Sequence, residues 1–79
     1  MEALDTVKQA AAAAGLPVYE VAQLMGRSPS YISAAIARGS TPKADTLAAM
    51  LAPCGYVLAA MPRDDAPASA LIIDSPARG

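Results

Sequence analysis

The stretch VAQLMGRSPSYISAAIARG, residues 21–39, decides how this chain folds. Apolar residues recur at helical spacing on both sides of a glycine: Val21, Leu24 and Met25 before it, Ile32, Ala35 and Ile36 after it. Gly26 lacks a β-carbon and takes positive φ cheaply, so it stops the first helix. Ser28 and Pro29 form a start signal: a side-chain oxygen for the N-cap, then a ring that pre-sets φ at the first helical position. The spacing predicts two short helices, the second over Ser28–Arg38, crossing steeply over about three residues.

On the N-terminal side, Leu4, Val7, Ala11 and Ala14 predict a helix over Glu2–Ala14. Glu2 and Asp5 in its first turn suit the macrodipole. The run Ala10–Ala14 reads as high helix propensity and close helix packing. Gly15 stops this helix, with Leu16 tucking back as its hydrophobic partner. Pro17 opens the next helix, which runs to Met25, and Ala22 keeps the crossing point small. On the C-terminal side, Gly39 and Ser40 form an exit and Thr41-Pro42 a turn. Leu47, Met50 and Leu51 then mark a helix over Lys43–Ala52, which Pro53 and Gly55 end.

The pattern changes at Tyr56. YVLAAM, residues 56–61, is apolar and bounded by Gly55 and Pro62, so it reads as a strand. After a polar loop, SALIID, residues 69–74, reads as a second one. Two short strands make at best one hairpin, which is marginal alone. The first strand is therefore expected to pair with its copy in a second chain, through Tyr56, Val57, Leu58 and Met61, with Leu71, Ile72 and Ile73 of the second strand joining the dimerisation surface by pairing either within the subunit or across the dimer. The expected organisation is a helical domain over 1–54, a dimerisation segment over 55–75 and a flexible tail over 76–79.

Composition bounds the function. With 79 residues the chain makes one domain with a marginal core. The hydrophobic fraction is 54%, but much of it is alanine, and Phe and Trp are absent. A mainly α protein with a thin core follows. The net charge of −1 argues against a generally basic nucleic-acid coat protein. Its distribution says more: from Val21 to Ala44 the charged residues are Arg27, Arg38 and Lys43, with no acid among them. That segment is either a phosphate-facing surface or a solvated face.

One cysteine, Cys54, and no histidine exclude an internal disulfide and the usual zinc arrangements, and remove the commonest general base. No carboxylate pair shares a predicted face and no glycine-rich phosphate loop occurs, so neither an enzyme nor a cofactor or metal is expected. No secretory signal or membrane-length apolar run is seen, which makes the cytoplasm, with its nucleoid, the expected compartment.

The pattern Val21-Ala22, Met25-Gly26, Ser28, Ser30-Tyr31-Ile32-Ser33, Arg38-Gly39 and Pro42…Thr46-Leu47 resembles the helix-turn-helix domain of the phage-repressor, Cro and XRE-type regulators. The resemblance covers residues 16–51, and the first helix fits that family's first helix. The sequence after Leu47 resembles the HipB-like antitoxin branch, in which a strand after the last helix joins two subunits. The chain departs from the family at three places. Pro17 and Val18 stand where a Thr-Gln pair is usual, and Pro29 where Gln or Arg is usual. The Arg38-Gly39 pair falls one residue late.

The resemblance implies a four- to five-helix repressor-like domain that lays helix 28–38 in the major groove of double-stranded DNA as a homodimer. Ser28, Pro29, Ser30, Ser33, Ala34 and Ala37 would face the bases; Arg27, Tyr31, Arg38 and Lys43 would meet phosphates. A cognate toxin or other protein partner is a further expectation of the antitoxin likeness. The alternative is a protein-interaction module of the same fold, with the Ala/Ser face of that helix packed on another protein.

Overall fold

A computed structural model describes residues 1–73. The chain forms four α-helices: α1 (Ala3–Ala14), α2 (Val18–Leu24), α3 (Tyr31–Arg38) and α4 (Ala44–Leu51). A 3-10 turn over Ala52–Cys54 closes α4, and another spans Arg63–Asp65. α1 lies against α4 and α2 against α3, while the Ala52–Cys54 turn touches α1, α2 and α4.

Each helix sends one side chain to the centre: Val7, Val21, Ile32 and Met50 are the largest fully buried residues. Leu4, Ala10, Ala11, Ala22, Ala35, Leu47, Leu51 and Cys54 complete the core. Alanine fills much of the space between helices, which lets their axes approach closely but removes little apolar area from water. The stripe on α4 is the expected one. On α1 the buried positions are Leu4, Thr6, Val7, Ala10 and Ala11, and Ala14 is exposed instead of buried. The Thr6 hydroxyl is satisfied there by donating to the Glu2 carbonyl at 3.3 Å.

The helix ends follow the residue chemistry. Gly15 reverses the chain after α1, with its N–H on the Ala12 carbonyl and that of Leu16 on the Ala11 carbonyl, and Leu16 packs back on the core. Pro17 is the cap before α2, one residue earlier than its expected place inside the helix. Pro53 cannot continue α4, and the Tyr56 N–H closes the turn on the Leu51 carbonyl.

The expected strands are absent among the described residues. Residues 56–61 carry no regular structure, and neither do 69–73; Asp74 and the expected tail 76–79 lie outside the described residues. A strand exists only through a ladder to a neighbouring edge, and the described residues offer none. Tyr56 and Leu71 pack on the helical core, whereas Val57 is 84% exposed and Leu58, Met61, Ile72 and Ile73 are exposed with it.

The φ of Gly26 is +78°, and a β-carbon there would meet nothing within 4 Å. The cost of Gly26→Ala is therefore conformational alone. Urea unfolding of this variant will show a loss of about 1–2 kcal/mol. An unchanged midpoint would show that the corner is not held in this conformation.

Candidate nucleic-acid interface

The corner between α2 and α3 is built from backbone hydrogen bonds. The Gly26 N–H donates to the Gln23 carbonyl and the Arg27 N–H to the Ala22 carbonyl, both at 2.9 Å. These bonds satisfy the orphan carbonyls at the end of α2 and turn the chain at once. Ala22 is fully buried in the core beside this corner.

The chain then makes a second turn. The Tyr31 N–H donates to the Ser28 carbonyl at 3.0 Å, and Ser30 sits at φ −88°, ψ 0°. These are the values of the third residue of a type I turn, with Pro29 in the second position that proline favours. The expected start of the helix at Ser28 is thereby corrected: α3 begins at Tyr31 and Ser30 is its cap. Pro29 sets φ for a turn before the helix, and Ser28 makes no side-chain cap bond to α3. Ser28 and Pro29 stand exposed ahead of the helix and not in its first turn.

Of the residues expected on the outer face, Ser30, Ser33 and Ala37 are exposed and Ala34 is half-buried. The Ser33 hydroxyl donates to the Ser30 carbonyl at 3.3 Å. Its proton thus has a local partner, and its lone pairs remain free to accept. The inner face carries Ile32 and Ala35 in the core and Ile36 packed against it.

Cations stand at both ends of α3. Arg27 precedes it in the corner, Arg38 is its last residue, and Lys43 caps α4; all are exposed. Arg38 also complements the negative end of the α3 dipole. Among the described residues, no carboxylate pairs with any of the three. Arg27 instead lies over the Tyr31 ring, its Cζ 5.0 Å from the centroid. The sequence gives little warning of this stack, because the residues are four apart across a corner and not along one helix.

Leu24, expected in the α2 stripe, is 60% exposed. A helix of seven residues turns only a narrow face inward, and Val21 and Ala22 fill it. Leu24 instead lines an open groove with Met25, Arg27, Ala49, Ala52 and Pro53. Cys54 is buried, its thiol donates weakly to the Met50 carbonyl at 3.7 Å, and burial pushes its pKa up. Such a thiol is a small apolar core group and a poor nucleophile. Among the described residues no three His, Cys, Asp or Glu side chains cluster to hold a metal ion, and no helix is long and apolar enough to cross a membrane.

Comparison with protein-family models, curated proteins and solved structures returns no match to this chain.

Proposed function

We propose that this chain is a transcription regulator, a repressor or an antitoxin-type autoregulator of the cytoplasm and nucleoid. It binds duplex DNA as a homodimer with α3 in the major groove. One observation carries the reading: the small, exposed outer face of α3 lies between cations that no carboxylate among the described residues pairs, Arg27 before the helix and Arg38 and Lys43 after it. A helix is about 10–12 Å across with its side chains, and the major groove is about 12 Å wide. Serine and alanine on the outer face let the helix backbone approach the base edges closely. The cations then reach the phosphates on the groove walls and fix the register.

The roles follow from the side chains. Ser30 can donate and accept at base edges, and Ser33 accepts. Ala37, and Ala34 at its half-buried position, meet thymine methyl groups. Ser28 and Pro29 approach from the turn ahead of the helix. None of these side chains makes a two-bond contact with guanine or adenine, so discrimination per half-site is modest. DNA shape and dimer symmetry supply the rest. The exposed apolar group of Val57, Leu58, Met61, Ile72 and Ile73 supports the dimer, since one copy leaves it uncovered.

The exposed Leu24 in its groove favours a second reading, a protein-interaction module that binds a toxin or other protein. A duplex taken from upstream of the chain's own coding sequence separates the two. Failure to bind any duplex at low salt, with a protein partner co-purifying, would support the module.

Neutralising roughly six phosphates per dimer gives a log–log salt slope of about −5 in fluorescence anisotropy. Arg38→Ala will weaken binding to all sequences alike and make the slope shallower by about one per subunit. Ser30→Ala will change sequence preference instead. A slope near zero, or full affinity in Arg38→Ala, would remove the phosphate surface. Light scattering at micromolar concentration will give the mass of a dimer for the wild type and of a monomer for Val57→Asp. A stable wild-type monomer would overturn the dimer.

A further inference from the structure

We infer that Tyr31 is a positioning residue: its ring face holds the Arg27 guanidinium for a DNA phosphate, and its hydroxyl is not the contact. The inference rests on the DNA-binding reading and deepens it. Both partners are anchored on the corner. The Arg27 backbone N–H is tied to the Ala22 carbonyl, and Tyr31 is the first residue of α3, with its N–H on the Ser28 carbonyl. The Tyr31 ring is half-buried and packs against the core, so it cannot follow Arg27 into solvent.

The guanidinium lies 5.0 Å from the ring centroid, inside the range of about 6 Å over which a cation is attracted to a ring face. Stacking uses the face of the guanidinium and leaves its five in-plane N–H donors free for a planar, two-bond grip on a phosphate. A long unstacked arginine would lose its rotamer freedom on binding DNA. Here the ring has already removed part of it. No carboxylate among the described residues competes for the charge. Among the described residues the neighbouring cation Arg38 has no such ring contact, so the two would meet phosphates from different degrees of order.

Two measurements test this. In the free protein, NMR will show the Arg27 Hδ protons shifted upfield by the ring current, in the wild type and in Tyr31→Phe, and unshifted in Tyr31→Leu. In anisotropy titrations of the upstream duplex, Tyr31→Phe will bind within about two-fold of the wild type. Tyr31→Leu will bind about two- to five-fold more weakly with the salt slope unchanged, which is the range a cation–ring contact spans. Arg27→Ala will weaken binding and make the slope shallower by about one per subunit. Adding Tyr31→Leu to Arg27→Ala will cost nothing more. Arg27 is exposed, so its variants keep the test independent of whether Tyr31→Leu folds.

A Tyr31→Phe variant as weak as Arg27→Ala would make the hydroxyl the contact and overturn the inference. So would an unshifted Hδ resonance, an Arg27→Ala that binds as the wild type does, or additive losses in the double variant. If the wild type binds no duplex while the ring-current shift is present, the DNA reading itself falls and the inference falls with it.

Discussion

Everything proposed for this chain depends on the two hydrogen bonds that close the α2–α3 corner, from Gly26 to Gln23 and from Arg27 to Ala22. They end α2 and redirect the backbone within the same residues. Ala22, fully buried beside the corner, brings only a methyl group to the packing there. The type I turn over Ser28–Tyr31 then completes the change of direction and delivers α3 with Ile32 and Ala35 inward. The outward position of Ser30, Ser33 and Ala37 is a consequence of that geometry. So is the stack of Arg27 on Tyr31, since one residue ends the first turn and the other ends the second.

A thin core raises the demands on this corner. Among the described residues the large fully buried side chains are Val7, Val21, Ile32 and Met50, one from each helix. Removing any of them would leave a cavity that the remaining alanines cannot fill. Chain reversals set by backbone hydrogen bonds supply order that packing does not. The apolar side chains left exposed in the segment after Gly55 would add burial only against another surface, and the proposed dimer is the arrangement that provides it.

Much of the fold was legible in the residues, because its signals are local. Gly15 with Leu16, Gly26, Gly39 and Pro53 mark helix ends by their own backbone chemistry. Leu47, Met50 and Leu51 mark a face by spacing. What stayed hidden depends on neighbours. Leu24 fits the apolar period of α2, but nothing in its spacing tells that Val21 and Ala22 take the buried positions, with Val18 and Met25 beside them, and leave Leu24 outside. Ser28-Pro29 is a cap signature that also suits a type I turn, and the corner bonds decide between the two. YVLAAM is apolar enough for a strand, yet a strand needs a partner edge, and none stands beside it among the described residues. For the candidate site, the cations and the small residues were visible from the start. The Arg27–Tyr31 contact and the local bond of Ser33 required the fold.

Backbone nitrogen–proton correlation spectra, recorded while the upstream duplex is titrated in at low salt, test the central proposal most directly. If α3 enters the groove, the amides of Arg27 to Gly39 and of Lys43 shift first and furthest, and adding salt reverses the shifts. Shifts confined to residues 56–73, or none at all, would contradict it.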